Sequence, residues 1–178
     1  MLRSGWALCY SLRNGQDMEL TGFIEFDPKK DKGKDLPEVP GNYLVTIRDI
    51  NSLPTLGYSL EVPLYKGKHL IYTGVAGTNL RGRIWRNHIG GNAGHSTLRL
   101  TIGCLLGYTP IPRDKKNPNN GHVRFVIDEE RELRAWMKEN LVFHYLHNES
   151  PDKMETNLIR DYNPPLNIDK NKNPINQE

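Results

Sequence analysis

Cysteine is scarce in this chain of 178 residues, and long hydrophobic runs are missing. Cys9 and Cys104 are its two cysteines, and neither belongs to a Cys-x-x-Cys pair. This argues against a disulfide framework and against a structural zinc site, and it favours a reducing compartment. The apolar runs are too short to cross a bilayer, and the residues after Met1-Leu2-Arg3 make a poor signal peptide. We therefore expect a cytoplasmic protein that has no membrane partner.

Acidic residues are missing from one long segment, residues 62–113. This acid-free segment holds seven Lys and Arg residues, although the whole chain has a formal net charge of only +3. A solvated basic face explains small excesses of this kind. A window of this length without Asp or Glu favours a polyanionic partner, most often nucleic acid. Charge by itself does not distinguish DNA from RNA or from an acidic protein.

The apolar pattern predicts an α+β fold with layered helices and a small, mainly antiparallel, three-stranded core sheet. The three predicted strands are residues 42–48, 69–74 and 141–146. The four predicted helices are residues 79–89, 97–106, 128–140 and 151–162. Ser96 is the predicted N-cap of the second helix, and Ser150-Pro151 is the predicted start of the last.

The length suits one core domain with additions at its ends. Residues 1–27 read as an N-terminal β-hairpin extension around the turn Asn14-Gly15, and a charged linker follows it. We therefore divide the chain into an arm with its linker (residues 1–39), a core domain (residues 40–168) and a disordered tail (residues 169–178).

Glu155 breaks the apolar pattern of the last predicted helix. It lies on the same helix face as Leu158, Ile159 and Tyr162. A carboxylate among apolar neighbours is costly unless it is paired or binds a metal. A position at the edge of this face, where the carboxylate reaches solvent or an arginine, is the simpler explanation. A hard cation such as Mg²⁺ is the functional alternative, because Mg²⁺ takes carboxylate oxygen and keeps several waters.

Two short tyrosine motifs lie on the first two predicted strands. They are Gly41-Asn42-Tyr43 and Tyr72-Thr73-Gly74, and Leu80-Arg81-Gly82-Arg83 begins the helix that follows them. Together with the helix of Glu155, and with Asn167 twelve residues further on, this ordered set resembles the GIY-YIG nuclease family. In that family Gly-Ile-Tyr, Tyr-Ile-Gly, Leu-x-x-Arg, a helix with a metal-binding Glu and an Asn follow one another. The match spans residues 40–168.

The chain also departs from the family pattern. The gap between Tyr43 and Tyr72 is long, as in some restriction enzymes of the family. Arg83 and His88 are five residues apart, so an α-helix does not place them cleanly on one face. Either Asn87 or His88 therefore fits the polar position at the end of the family's helix. Arg81 rivals Arg83, but the spacing from Leu80 favours Arg83.

The resemblance implies a metal-dependent endonuclease that hydrolyses phosphodiester bonds of DNA. Its implied catalytic residues are Tyr43, Tyr72, Arg83, His88, Glu155 and Asn167. Tyr43 would take the proton of the attacking water, directly or through a neighbour, and Tyr72 would orient the water or the phosphate. His88 would relay the proton or form a hydrogen bond with a tyrosine.

The resemblance also implies residues that offset the negative charge of the phosphate and that fix the geometry of the site. Arg83 would contact the scissile phosphate, and Glu155 would hold one Mg²⁺ or Mn²⁺ ion that stabilises the leaving oxygen. Asn167 would fix the geometry of the site through its amide. The predicted substrate contacts are Arg81, Arg86, His95 and Arg99.

Double-stranded DNA is the expected partner, and a homodimer is an open alternative to a monomer. The competing function is a non-catalytic nucleic-acid-binding module with the same fold. Such a module would lack one of the tyrosines, the arginine or the glutamate, and none of them is missing here. Fold by itself does not choose among restriction, repair, homing and phage-related roles.

Overall fold

The computed structural model of this protein describes residues 20–54 and 62–168. In these ranges the chain forms the strands β1 (Ile24–Phe26), β2 (Gly41–Ile47), β3 (Leu64–Tyr65), β4 (Lys68–Ala76), β5 (Ile111–Pro112), β6 (Val123–Arg124) and β7 (Leu141–His147). It also forms the helices α1 (Thr97–Leu105), α2 (Ile127–Asn140) and α3 (Pro151–Tyr162), and a π-helix spans Gly82–Ile89. Short 3₁₀ turns lie at Gly33–Asp35, Ile50–Ser52 and Ala93–His95. No helix in the described ranges is both long enough and apolar enough to span a bilayer.

The mixed α and β architecture and the antiparallel sheet are confirmed, but the predicted number of strands is wrong. The core sheet has five strands in the order β1-β7-β2-β4-β3, and each neighbouring pair is antiparallel. Its three central strands, β7, β2 and β4, are the three that the apolar pattern predicts. The two edge strands contain two or three residues each, which is too short to show a periodicity of their own.

A two-residue turn at Lys66-Gly67 adds the edge strand β3 to β4. Both turn residues have positive φ, 50° for Lys66 and 70° for Gly67. This backbone conformation suits a tight hairpin, because its twist matches that of the flanking strands.

The other edge strand, β1, comes from the segment that the sequence predicts as the second strand of an N-terminal hairpin. It pairs with β7, and Phe26 lies opposite Phe143. The rest of the predicted hairpin, residues 1–19, and the predicted disordered tail, residues 169–178, lie outside the described residues. The division into arm, core domain and tail therefore stays a prediction.

Two short strands form a second sheet in the connection between α1 and α2. β5 pairs with β6 in an antiparallel ladder of two residue pairs. Each strand has only two residues, and the connection between them is long and rich in Pro and Asn, so the sequence gives no signal for this pairing.

The core sheet is buried on both faces, because all seven residues of β2 are buried. On one face Tyr43 and Val45 belong to the larger apolar cluster, together with residues of the π-helix, α1 and α2. On the other face Leu44 and Leu70 pack in a smaller cluster with Leu158 of α3. The helices thus form layers on both sides of β2, so the tyrosine of this strand lies inside the domain.

His144 of β7 is a buried histidine that is difficult to protonate in the folded chain. It is fully buried, its Nε2 lies 3.1 Å from Thr46 Oγ1, and its Nδ1 has no hydrogen-bond partner. Burial, together with the positive charges of Lys66 and Lys68, lowers the pKa of His144 to about 3. Between pH 6.5 and 3 the unfolded chain therefore binds a proton at this residue that the folded chain does not bind.

We predict that this proton uptake destabilises the protein as the pH falls. The free energy of unfolding should drop by about 1.4 kcal/mol per pH unit below pH 6.5 on account of His144. His144→Leu should remove the contribution of His144 to this pH dependence. The contribution of His88, whose pKa is also lowered by burial, should remain. Urea unfolding of both proteins at pH 7 and pH 5 checks this, and an equal pH dependence in the two proteins contradicts it.

Candidate active site

Tyr43 is the centre of the candidate site. Its side chain is 0% exposed, and it lies on the β2 face that packs against the π-helix. The Tyr43 hydroxyl oxygen lies 2.6 Å from Nε2 of His88 and accepts a hydrogen bond of 3.2 Å from Nε of Arg83. The structure thus brings together three of the residues that the sequence predicts for catalysis.

The π-helix explains how Arg83 and His88 reach the same hydroxyl group. Its hydrogen bonds join residues five apart, as in the 2.8 Å bond from the N–H of Gly90 to the carbonyl of Trp85. In this geometry residues five positions apart lie on nearly one face, whereas an α-helix separates them. Of the two polar residues that the sequence leaves open, His88 is the one that contacts Tyr43. Asn87 instead lines an open groove of about 420 Å³ beside Arg83.

A β-bulge places Tyr72 on the same face as Tyr43. Thr46 pairs with Leu70, but the preceding residue Val45 pairs with Tyr72, so Ile71 is the extra residue of β4. Without this bulge Tyr72 would point to the opposite face, because side chains alternate along a strand. The rings of Tyr43 and Tyr72 are instead stacked, with centroids 6.3 Å apart.

The same bulge places Gly74 directly opposite Tyr43. A Cβ atom at Gly74 would overlap the hydroxyl oxygen and the ring of Tyr43. The glycine of the second tyrosine motif is therefore required by the close approach of the Tyr43 ring, and the sequence alone does not show this.

Gly74→Ala should displace the Tyr43 ring and lower catalysis without abolishing folding. Misplacing a reacting group by about 1 Å costs up to about 10²-fold in rate, so we expect a loss of at least about tenfold. Gly77→Ala is the matched control, because a Cβ there meets no atom within 4 Å. Initial cleavage rates of the two variants check the prediction, and equal rates contradict it.

Burial controls the protonation states in the site. Burial raises the pKa of Tyr43 well above its ordinary value, and the nearby Arg83 charge opposes this shift. Burial also raises the pKa of Tyr72, again against the charge of Arg83. Burial lowers the pKa of His88 well below its ordinary value, and the charges of Arg83 and Arg99 lower it further. At neutral pH the site therefore holds two neutral phenols and a neutral imidazole beside one guanidinium.

Glu155 is half-buried on α3 and close enough to the tyrosines for its charge to raise the pKa of both Tyr43 and Tyr72. Asn42 ties the start of α3 to β2, since its amide donates a 2.8 Å hydrogen bond to the carbonyl of Pro151. This contact gives a structural reason for Asn42 in the first tyrosine motif, at the position where the Gly-Ile-Tyr motif has isoleucine.

Asn167 clamps β4 beside Tyr72. Its Oδ1 accepts a hydrogen bond from the N–H of Thr73, and its Nδ2 donates one to the carbonyl of Thr73, both at 2.9 Å. The side chain is nearly fully buried, so both amide groups are satisfied without water. This position is compatible with the predicted role of Asn167 in fixing the geometry of the site.

Arg99 is in the interior, where it cannot touch a substrate on the surface. It is 0% exposed and forms an ion pair with the carboxylate of Glu130. It also donates hydrogen bonds to the carbonyls of His88 and Ile89 at the end of the π-helix. The predicted substrate contact of Arg99 is therefore replaced by a structural role. Glu130 was missed as the partner of Arg99, because it lies 31 residues further along the chain.

The remaining predicted substrate contacts differ in their surroundings. Arg81 donates hydrogen bonds to the carbonyls of Lys34 and Leu36 and pairs with Glu38, so it holds the segment before β2. Arg86 is exposed and lies 3.6 Å from Glu38. Acidic residues from outside the acid-free segment thus offset part of its charge.

His95 is exposed beside the buried cluster. Its carbonyl accepts a 3.2 Å hydrogen bond from Nη1 of Arg83, and its Nε2 lies 3.3 Å from Nη1 of Arg113. Neither arginine forms an ion pair with another described residue. Two guanidinium groups and an imidazole therefore lie together at the surface next to Tyr43.

Fold and site together define a small α+β domain whose sheet packs the buried Tyr43 and Tyr72 against a π-helix that supplies Arg83 and His88. A family model described as the GIY-YIG catalytic domain matches residues 41–178, and the chain therefore belongs to the GIY-YIG family. The resemblance drawn from the sequence motifs is confirmed. Membership indicates a nuclease, which acts on nucleic acid. A search of curated proteins and a search of solved structures each found no match.

Proposed function

We propose that this protein is an endonuclease that hydrolyses phosphodiester bonds of DNA at the Tyr43 site. The observation that carries the proposal is the buried Tyr43 hydroxyl, which Arg83 and His88 contact together. A buried phenol beside a half-buried guanidinium that has no carboxylate partner among the described residues is unusual in a purely structural core, because a charge that is partly withdrawn from water is costly unless it is paired. The pairing of the two groups suits acid–base chemistry next to a phosphate.

Tyr43 acts on the attacking water. The phenol is neutral in the substrate-free site, so it must first release its proton to solvent. The phenolate then takes one proton from the water while the water oxygen bonds to phosphorus and the phosphorus–oxygen bond of the leaving nucleotide breaks, and the leaving oxygen takes a proton from solvent. Arg83 stabilises the phenolate through Nε, and its partly exposed guanidinium group also binds the phosphate. Tyr72, stacked on Tyr43, orients the water or the phosphate. Asn167 holds the Tyr72 strand in register through Thr73.

Glu155 is the proposed ligand of one Mg²⁺ or Mn²⁺ ion. The described residues contain no group of three or more His, Cys, Asp or Glu side chains that could enclose a metal. A single carboxylate fits Mg²⁺ nevertheless, because this ion is usually held by one or two carboxylates and keeps several waters. When bound, the ion supplies charge stabilisation for the leaving oxygen.

Arg86, His95 and Arg113 are the proposed contacts for the DNA backbone. They lie around Arg83 at the surface, and Arg86 lines the groove beside it. Contacts of this kind neutralise phosphates and make binding weaker as the salt concentration rises. We retain double-stranded DNA as the proposed partner, with a monomer and a homodimer both open.

Cleavage of end-labelled substrates tests this function. We expect Mg²⁺-dependent internal cleavage of a DNA duplex and much slower cleavage of an RNA duplex of the same sequence. Tyr43→Phe is the control that assigns any cleavage to this site. Cleavage of RNA but not DNA would refute the proposed substrate, and salt-sensitive binding without cleavage would indicate the non-catalytic module.

A further inference from the structure

The hydroxyl of Ser96 contacts the ring nitrogen of His88 that does not face Tyr43. Its Oγ lies 2.6 Å from Nδ1 of His88, whereas Nε2 of the same ring lies 2.6 Å from the Tyr43 hydroxyl. The sequence predicts Ser96 as a helix cap, and the structure shows this cap as well. Oγ accepts a 3.1 Å hydrogen bond from the N–H of Arg99 in the first turn of α1. Ser96 therefore touches both the helix and the candidate site.

The direction of the Ser96–His88 hydrogen bond follows from the donors and acceptors available. Ser96 is 2% exposed, so water does not satisfy its hydroxyl hydrogen. Its oxygen already accepts the Arg99 N–H, and among the described residues the one other hydrogen-bond partner of the hydroxyl is Nδ1 of His88. A buried hydroxyl hydrogen without an acceptor is costly. The hydroxyl is satisfied when it donates to Nδ1, which leaves the single ring proton of neutral His88 on Nε2.

We infer that Ser96 is a positioning residue that holds His88 as the Nε2-protonated tautomer, so that His88 donates a hydrogen bond to Tyr43 and does not accept its proton. This inference rests on the proposed function for its catalytic meaning. Between the two roles that the sequence leaves open for His88, proton relay and hydrogen-bond partner, it selects the second.

The consequence is a pair of donors aimed at one phenol oxygen. Arg83 Nε–H and His88 Nε2–H both donate to the oxygen of Tyr43. The Tyr43 phenol must therefore turn its own hydrogen away from His88, toward the side of Tyr72, whose ring is stacked on that of Tyr43. Two donors stabilise the phenolate more than the phenol, in the same way that preorganised donors stabilise an oxyanion.

Three variants at one position separate this role from helix capping. Ser96→Thr keeps both the hydroxyl and the cap. Ser96→Asp keeps a cap of similar strength but can only accept at Nδ1, so it should move the ring proton of His88 from Nε2 to Nδ1. Ser96→Ala removes both.

The test is NMR of ¹⁵N-histidine-labelled protein at neutral pH, with the His88 signals assigned from their loss in His88→Gln. We expect protonated Nε2 and unprotonated Nδ1 in the wild type and in Ser96→Thr, and the reverse in Ser96→Asp. Cleavage rates should stay near wild type for Ser96→Thr. For Ser96→Asp they should fall about 10²-fold in kcat with little change in KM, the size expected when one preorganised donor is lost.

A wild-type protein whose His88 carries its proton on Nδ1 would overturn the inference, whether or not the protein cleaves DNA. An unchanged tautomer in Ser96→Asp would overturn it as well. If the wild type shows protonated Nε2 but no cleavage under any condition, the tautomer assignment holds and the proposed function fails. The two failures are therefore distinguishable, because the NMR spectrum requires no activity.

Discussion

Tyr43→Phe is expected to leave the fold intact and to lower the rate of DNA cleavage by about 10²- to 10⁴-fold, the range typical for removing a general base. The substitution removes a single oxygen atom, so the packing of the ring against Tyr72 and Phe143 is kept. What it removes is the oxygen that accepts a hydrogen bond from Arg83 and lies 2.6 Å from Nε2 of His88. In the proposed mechanism this oxygen also takes the proton from water. Single-turnover cleavage at saturating protein measures the effect on the chemical step.

Tyr65→Phe is the matched control for this variant. Tyr65 is also fully buried, but it belongs to the cluster on the opposite face of the core sheet, and its hydroxyl donates to the carbonyl of Leu20. Loss of a buried hydroxyl there should cost some stability, about 1 kcal/mol, and leave the rate unchanged. A Tyr43→Phe protein that cleaves as fast as Tyr65→Phe would remove Tyr43 from the mechanism.

Glu155→Gln is expected to lower Mg²⁺-dependent cleavage by at least about 10²-fold, the loss seen when a group that stabilises transition-state charge is removed. The substitution keeps the size and most of the packing of the half-buried side chain but removes the negative charge that attracts a cation. It should also raise the Mg²⁺ concentration at which the remaining activity saturates. Rates measured over a Mg²⁺ titration separate weaker metal binding from slower chemistry.

Asp152→Asn is the control for Glu155→Gln, because it removes a carboxylate of the same helix at an exposed position one turn earlier. Circular dichroism of both variants establishes that α3 is kept. If Glu155→Gln and Asp152→Asn titrate with Mg²⁺ like the wild type, then Glu155 holds no catalytic ion and its position at the edge of an apolar face is structural.

Local sequence patterns predicted those parts of the fold that depend on local interactions. The three central strands are long and apolar enough to be recognised, and the helix start at Ser96 follows from its side-chain chemistry. The order of Tyr43, Arg83, Glu155 and Asn167 along the chain was sufficient to identify the family. The edge strand β3 was missed because its pairing with β4, and not its own two residues, makes it a strand. The edge strand β1 lies in the predicted N-terminal hairpin, but its pairing with β7 has no local signal.

The geometry of the site could not be read from the sequence, because it depends on pairing between distant segments. Whether Tyr72 shares a face with Tyr43 is decided by the bulge at Ile71, and a register of this kind has no local signal. The five-residue spacing of Arg83 and His88 argued against a common face only as long as an α-helix was assumed, and the π-helix reverses that conclusion. A π-helical segment next to a candidate site is itself typical of functional positions.

The surroundings of the acid-free segment are less positively charged in the folded protein than its sequence suggests. Its charge is partly offset by acidic residues from elsewhere in the chain, such as Glu38 and Glu130. A small set of cations beside Tyr43, chiefly Arg83 and Arg113, has no carboxylate partner among the described residues. The proposed phosphate contacts lie in the segment that the charge pattern indicates, but fewer of its basic residues are free for phosphate than their count suggests.

Incubation of the purified protein with supercoiled plasmid, in Mg²⁺ and in EDTA, is the measurement that tests the central claim most directly. The account predicts conversion of the supercoiled form to nicked or linear DNA in Mg²⁺, none in EDTA, and none with Tyr43→Phe. Plasmid that stays supercoiled in both Mg²⁺ and Mn²⁺, at protein concentrations that bind it, would contradict the account.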